Sequence, residues 1–570
     1  MSSAKPAISQ FSSSDADAGL RQQSLRNIQA CSRLALAFGI LFRLVQYFSN
    51  RSLWLDEALV VLNLQERSYS QLLEALDYNQ AAPPFFLWIE KFALENLGNT
   101  EYSLRLYPLI GGLLSLVIFY QFTKSYAEGW VRPIAIFLFS TLSYIAYYSS
   151  EVKPYSWDIT ICLLLFMSIS GLVGPFKGEG ATLKPSLKKT FVAALLGVVS
   201  VWLSFPSILV MAGTEATNLI KLKLWRISRS DWLIFLSRRV PLYVAWLLSF
   251  GALYAVNISK TLTGTTLESA WADRYPKGWF DVIWLLDAFG QFFYHPLGFF
   301  SPADGIALVV FVVGWVYLYR THKWRLAYLS SPFAITIIAS YLQQYPFRNR
   351  LILFTTPYAL VILAHGISLL IRRFFQGKTG RSAVRSAVHS VVGERQKESR
   401  SARVVRVVGF VLSLSLLILP LTETVPKIVL PQRNHFDHVR PAIAYIRTHW
   451  QPGDKLYISP AARRLFQYYR SRFDFPEDDV VFGEVKNFGS RNLAEGALER
   501  LTENINGLKT GPFKGQTRVW LLHARKPPDE EAMMLKHLDD TVGKSMETVH
   551  YPKAVVSLRD LSDDSSDTEH

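Results

Sequence analysis

The chain has 570 residues, of which 50% are hydrophobic, 14% aromatic and 19% charged, and its formal net charge is +16. This composition is too apolar for an ordinary soluble protein of this length and too polar for membrane spans alone. It therefore predicts a polytopic membrane protein that carries some aqueous mass. The two cysteines are too few to build a disulfide framework or a cysteine-based metal site.

The first 31 residues are polar and rich in serine, with Arg21 and Arg26 ahead of the first apolar run. We expect residues 1–31 to form a disordered cytoplasmic N-terminus and the first apolar run to be a retained span. Apolar runs long enough to cross a bilayer, or nearly so, lie at residues 32–48, 104–122, 132–149, 158–174, 190–220, 241–257, 303–320, 326–343, 350–371 and 405–426. Pro206 should break the long run at 190–220 into two short helices, which makes about eleven spans within residues 32–426.

The charges of the loops agree with this count. Residues 50–103 hold eight acids and three bases, whereas 221–240 hold six bases and one acid, and 372–406 hold ten bases and two acids. Because basic loops stay in the cytoplasm, residues 50–103 should lie outside and the other two loops inside. An odd number of spans then places residues 427–570 outside as well.

Residues 427–560 change character. The stretch "HVRPAIAYIRTHWQPGDKLYIS" predicts an amphipathic helix, a turn and a short strand, while "RLFQYYRSRF" predicts another helix and "TRVWLLHAR" another strand. We expect a small extracytoplasmic α/β domain here, followed by an acidic, disordered tail at 561–570. The predicted fold is thus mainly α: a polytopic membrane helical bundle with a small C-terminal α/β domain.

The first candidate site is the pair of adjacent acids in "RSLWLDEALV", residues 51–60. Two neighbouring carboxylates beside an apolar run repel each other and resist desolvation. They could form a helix cap or a solvated loop pair. Alternatively, Asp56 could be a general base held near the headgroups by Trp54, with Glu57 as a supporting group.

The second candidate site is "YYSSEVKPYSWD", residues 147–158, in the next predicted outer loop. Glu151, Lys153, Tyr155 and Asp158 are crowded into a short turn between spans. A Glu151–Lys153 salt bridge with interfacial aromatic residues would explain part of this density. Substrate binding by all of these side chains is the alternative.

The third candidate site is "QYPFRNRL", residues 344–351, where Arg348 and Arg350 stand at the outer mouth of a span. Basic residues are less expected outside, and guanidinium groups suit a phosphate. Arg105, at the outer end of another span, is a further substrate-binding candidate. Carboxylates and arginines together suggest transfer to a hydroxyl nucleophile with a lipid phosphate as the leaving group.

The order of "SLWLDEALV", "NQAAPPFFLWIEKF", "TEYSLRLYPLIGG", "AYYSSEVKPYSWD" and "FRNRLILFTTPYALVILAHGI" resembles that of GT-C superfamily membrane glycosyltransferases. The resemblance covers most of residues 32–426. It is to the bacterial branch related to protein O-mannosyltransferases and lipid A aminoarabinose transferases, with a glycosyltransferase family 39-type domain.

This resemblance implies an enzyme of the bacterial plasma membrane. It would transfer a sugar from a polyprenyl-phosphate donor to a glycan, lipid or protein acceptor outside the cytoplasm, with inversion. Asp56 matches the catalytic acid of the family, and Glu57 is its neighbour. Lys153 stands where relatives often have Arg, and Ala82 stands where they often have His.

Two other classes of function are compatible with the sequence: a transporter or flippase for lipid-linked sugars, and a non-catalytic assembly protein for envelope polymers. Acids at the outer ends of spans favour the enzyme, because transporters place ionisable residues near the midplane. The basic clusters flank spans, so we expect no nucleic-acid partner. Acids that could bind a divalent metal are present but a histidine-rich ligand set is not, so the sequence leaves metal dependence open and assigns no metal ligand. It also leaves the oligomeric state open.

Overall fold

The computed structural model describes residues 11–174, 182–223, 228–262, 274–379, 400–429, 438–483, 513, 515–524, 528–541 and 545–562. The chain divides into two compact units. The larger comprises residues 1–48, 68–98 and 102–429, and the smaller comprises residues 49–67, 99–101 and 430–570. The predicted tail at 561–570 lies outside the described residues from position 563 onward.

The described part of the larger unit contains helices joined by loops, and no strand. Its helices are α1 (Phe11–Phe48), α3 (Pro84–Leu97), α4 (Glu101–Tyr126, whose first residue belongs to the smaller unit), α5 (Val131–Thr141), α6 (Ser143–Tyr147), α7 (Tyr155–Ser170), α8 (Leu187–Leu203), α9 (Ser207–Leu222), α10 (Arg229–Leu253), α11 (Ser259–Leu262), α12 (Val282–Tyr294), α13 (Ala303–Thr321), α14 (Lys323–Tyr341), α15 (Thr356–Thr379) and α16 (Arg400–Val429). A 3-10 segment, Asn349–Thr355, leads into α15. The fold is mainly α, as the sequence predicts.

Two sequence expectations about helix boundaries have clear outcomes. The predicted break at Pro206 is confirmed, since α8 ends at Leu203 and α9 begins at Ser207. The first helix begins at Phe11, inside the segment 1–31 that the sequence assigns to disorder. Residues 229–240, assigned to a cytoplasmic loop, are also helical, because α10 begins at Arg229.

Six helices in the described part of the chain are long and apolar enough to cross a membrane. They are Arg21–Phe48, Glu101–Tyr126, Arg229–Thr261, Ala303–Thr321, Asn349–Phe375 and Arg403–Lys427. The number becomes seven if Val131–Thr141 and Ser143–Ser150, which meet at 60°, form one broken span. The expectation of about eleven spans stays a prediction.

The core of the larger unit contains many aromatic residues and, where two of its helices cross, a glycine on each helix. A Cβ on Gly314 of α13 would lie 2.1 Å from the carbonyl oxygen of Ile362 in α15. A Cβ on Gly366 of α15 would lie 2.1 Å from the carbonyl oxygen of Val310 in α13. The two helices therefore meet backbone to backbone, as small residues allow inside membranes.

The smaller unit contains α2 (Leu55–Glu66) and an α/β fold built from the C-terminal part of the chain. Its elements in order are α17 (Val439–Thr448), β1 (Lys455–Ile458), α18 (Arg463–Arg470), β2 (Val480–Phe482), β3 (Val519–Ala524), α19 (Pro528–Thr541), β4 (Ser545–Tyr551) and β5 (Ala554–Arg559). The strands form one sheet in the order β2-β1-β3-β5-β4. β1 is parallel to β2 and β3, whereas β5 is antiparallel to β3 and β4. The predicted α/β fold is confirmed.

Candidate functional site

The two adjacent acids have different environments within the smaller unit. The carboxylate of Glu57 is completely buried. Its Oε2 accepts the Trp54 N–H at 3.2 Å and lies 3.2 Å from the Arg51 guanidinium, whose side chain is 1% exposed. Glu57 thus caps the N-terminus of α2, where a negative charge is favoured by the helix dipole, and forms a buried ion pair. The helix-cap alternative holds for Glu57.

Asp56 is the more accessible of the two acids. It lies in the first turn of α2 and is half-buried. Successive side chains on a helix point in directions about 100° apart, so Asp56 cannot share the direction of Glu57. Of the pair, only Asp56 is partly exposed.

The second candidate site lies in the larger unit, where its charged residues are buried. Glu151 is completely buried and Lys153 is 4% exposed. The Lys153 ammonium donates to Gln80 Oε1 at 2.5 Å, which ties this loop to the segment before the paired prolines. Gln80 was not singled out from the sequence, although it opens the "QAAPP" stretch. Asp158 faces the bundle interior, where it accepts the Ser204 hydroxyl at 2.6 Å.

Two predicted residues of the larger unit lie next to each other in space. The Arg350 guanidinium lies 5.7 Å from the centroid of the Tyr155 ring, a cation–π contact. The ring of Tyr155 in turn meets that of Tyr148 edge to face at 5.2 Å. Residues 147–158 and 344–351, which are far apart in sequence, therefore share one cluster.

Arg348 points to a different set of partners. Its guanidinium pairs with Asp287 Oδ2 at 2.5 Å and donates to Gln291 Oε1 at 2.5 Å, both on α12. Its positive charge is thus already compensated by one carboxylate. Arg105 lies in α4 and is 2% exposed.

A cavity of about 660 Å³ lies beside Asp287 and Gln291, the two partners of Arg348. The residues that line it are Asp287, Gly290, Gln291, Tyr294, His295, Asp304 and Asn349, none of which the sequence singled out. The His295 Nε2 is 3.2 Å from the Tyr148 hydroxyl. Burial, aided by the charge of Arg350, lowers the pKa of His295 to about 4, so the imidazole is neutral at pH 7.

The candidate residues thus fall in both units: Asp56 and Glu57 in the smaller, and Arg105, Glu151, Lys153, Tyr155, Asp158, Arg348 and Arg350 in the larger. Within the larger unit, Tyr155 contacts Arg350, whereas Arg348 and Asp158 contact other partners. No group of three or more histidine, cysteine or acidic side chains that could hold a metal ion occurs among the described residues.

Comparison with known proteins gives matches only among solved structures. No family model and no curated protein matches the chain. The chain is similar to ArnT from Cupriavidus metallidurans bound to undecaprenyl phosphate, with a TM-score of 0.46, 13% identity and coverage of 92% of this chain and 98% of that chain. It is also similar to the oligosaccharyltransferase AglB from Archaeoglobus fulgidus in complex with an inhibitory peptide and a dolichol-phosphate, with a TM-score of 0.42, 11% identity and coverage of 87% and 69%. Likenesses at these TM-scores assign no role to any residue of this chain.

Proposed function

We propose that this chain is an integral membrane glycosyltransferase of the bacterial plasma membrane. It transfers a sugar from a polyprenyl-phosphate donor to an acceptor outside the cytoplasm, with inversion at the anomeric carbon. The observation that carries the proposal is the difference between the two adjacent acids. Glu57 is buried, pairs with Arg51 and caps α2, while Asp56 is only half-buried.

In the proposed reaction Asp56 is the general base. Its carboxylate takes the proton of an acceptor hydroxyl, and the acceptor oxygen forms a bond to the anomeric carbon of the donor sugar. The bond between that carbon and the phosphate oxygen breaks on the opposite face, and polyprenyl phosphate leaves with the electron pair. The phosphate leaves as an anion, so no proton donor is needed for it.

Positive charge for the departing phosphate is assigned to the larger unit. Lys153 and Arg350 are the preferred candidates, and both lie in the regions that the sequence motifs indicate. Arg348 is a weaker candidate than the sequence suggested, since Asp287 offsets its charge. Contributions of Arg105, Glu151, Tyr155 and Asp158 to substrate binding stay predictions.

A transporter of lipid-linked sugars is the second candidate, and one observation favours it. Glu215 of α9 pairs with Arg239 of α10 at 2.8 Å, and its carboxylate also accepts from Tyr243 and Asn218 at 2.5 and 2.7 Å. Ionisable residues within membrane helices mark transport pathways in many proteins. Here the carboxylate is well supplied with partners, which suits a fixed structural pair, and we rank the enzyme first.

The test uses the full chain reconstituted in lipid nanodiscs. A panel of undecaprenyl-phosphate-linked hexoses and pentoses, radiolabelled in the sugar, is offered with bacterial envelope extract as the acceptor source. We expect one donor to be consumed with release of undecaprenyl phosphate. Asp56→Asn should lower kcat by about a hundredfold to ten-thousandfold while binding of undecaprenyl phosphate is retained.

The matched control is Glu66→Gln, which neutralises an exposed acid at the other end of the same helix. It should leave turnover within about twofold of wild type, because surface substitutions away from a site have small effects. Near-normal turnover by Asp56→Asn would reject the role of Asp56. Movement of labelled lipid across liposome bilayers without sugar transfer would favour the transporter.

A further inference from the structure

The loop that carries the two acids is anchored to the C-terminal part of the smaller unit at two backbone atoms. The Leu53 N–H donates to the Tyr469 hydroxyl at 2.8 Å. The Arg440 guanidinium donates to the Asn50 carbonyl at 2.6 Å. Leu53 and Tyr469 are both completely buried. The chain is therefore held at two points shortly before the helix that presents Asp56.

Both anchors depend on one carboxylate, that of Glu101, which also belongs to the smaller unit. Its Oε1 accepts the Tyr469 hydroxyl at 2.8 Å and lies 2.9 Å from the Arg440 guanidinium. Its Oε2 pairs with Arg472 at 2.7 Å. Glu101 is 3% exposed, so the two arginines supply the compensation that a buried carboxylate requires. The same carboxylate thus orients both groups that hold the loop.

The hydrogen bonding of Tyr469 requires a neutral phenol. Burial, together with the charge of Glu101, raises the pKa of Tyr469 well above its usual range. A neutral hydroxyl can donate its proton to Glu101 and accept the Leu53 N–H at the same time. Phenylalanine at this position would preserve the ring and leave a buried N–H and a buried carboxylate oxygen without this partner.

We propose that Tyr469 and Arg440, oriented by Glu101, are positioning residues that fix the place of Asp56 in the transfer reaction. The inference rests on the proposed function, because it gives these side chains a share in that reaction. α2 begins at Leu55, directly after the anchored segment, so an error in the loop is carried into Asp56. A misplacement of about 1 Å in a reacting group can cost roughly a hundredfold in rate.

The test compares Tyr469→Phe with Tyr457→Phe in the full chain in nanodiscs, using the undecaprenyl-phosphate-linked sugar that the wild type consumes. Tyr457 is also completely buried in the smaller unit, and its hydroxyl has no hydrogen-bond partner within the part of the chain that the structure describes. Tyr469→Phe should lower kcat by roughly tenfold to a hundredfold and leave the donor KM within about threefold. Tyr457→Phe should change neither constant by more than about twofold.

Two further measurements separate positioning from general destabilisation. Tyr469→Phe should have little additional effect in an Asp56→Asn background, since it acts through Asp56. Amide hydrogen exchange in residues 49–58 should be faster in Tyr469→Phe than in wild type or Tyr457→Phe. Independent, multiplicative losses in the double variant, or unchanged exchange in residues 49–58, would overturn the proposal.

Arg440→Lys provides a second variant should Tyr469→Phe not fold. A lysine keeps the positive charge beside Glu101, but one ammonium cannot reproduce the planar fork that reaches both Glu101 and Asn50. It should lower kcat in the same direction and speed exchange in residues 49–58, and wild-type values for both would count against the proposal. If the wild-type chain consumes no donor, the proposed function fails, while exchange in residues 49–58 decides the anchoring independently.

Discussion

Neutralising Glu57 should destabilise α2 strongly, although the substitution Glu57→Gln keeps the size of the side chain. The Arg51 side chain is 1% exposed and pairs with Glu57 at 3.2 Å. Removing one partner of a buried ion pair costs about 3–5 kcal/mol, because the buried charge that stays behind loses the carboxylate that compensates it. The amide oxygen of glutamine can still accept the Trp54 N–H, so the cap itself should survive.

Amide exchange of residues 58–66 measures this cost directly. A loss of about 3–5 kcal/mol in local stability corresponds to exchange that is faster by roughly a hundredfold to a few thousandfold. The double variant Arg51→Met/Glu57→Gln removes the buried guanidinium as well. It should regain most of the protection and exchange within about tenfold of wild type. Exchange in the double variant as fast as in Glu57→Gln, or wild-type exchange in the single variant, would refute the role assigned to the pair.

Two other substitutions test the larger unit. The pKa of His295 falls from an ordinary 6.5 to about 4 in the folded chain, so its stabilising contribution of about 3 kcal/mol is complete above pH 6.5 and is lost as the pH falls toward 4. The melting temperature in detergent should therefore change less between pH 7 and pH 4.5 for His295→Gln than for wild type. Equal changes in the two proteins would contradict this. Gly366→Ala should lower the melting temperature, because its Cβ would lie 2.1 Å from the carbonyl oxygen of Val310 and overpacking of this kind costs about 1–3 kcal/mol. The control Gly305→Ala on α13, with no atom within 4 Å of the new Cβ, should leave the melting temperature unchanged. Equal melting temperatures for the two variants would contradict the packing argument.

The features of the fold that were predicted correctly are those encoded within a few neighbouring residues. Pro206 breaks a helix wherever the helix lies, and the amphipathic period of residues 439–448 indicates a helix without any knowledge of its partner. β2, β4, β5 and α19 were not predicted. β4 is only half-buried and carries no regular alternation, so its sequence gives no strand signal. Residues 229–240 were assigned to a loop from their charges, but Arg239 is buried against Glu215, a contact that charge counting cannot anticipate.

In the candidate site, too, local sequence patterns indicate the candidate residues but not their contacts. Adjacent acids after an apolar run made Asp56 and Glu57 candidates, but only the structure shows that Glu57 is the residue that caps the helix. The distinction depends on the burial of Arg51, and Trp54 is an unusual residue at an N-cap. The anchors of the loop were beyond local pattern, since Leu53 and Tyr469 are 416 positions apart.

The burial of Glu57 beside Arg51 explains how two adjacent acids can both occupy the first turn of α2. Two exposed neighbours in the first turn of α2 would each profit from the helix dipole and repel each other, and neither would be fixed in place. Here Arg51 compensates the charge of Glu57, and that buried pair ties the first turn of the helix to the segment before it. Asp56 can then keep a partly exposed carboxylate without a second net charge beside it. A general base needs both a fixed position and access to its substrate, and the neighbouring acid supplies the first of these while Asp56 retains the second.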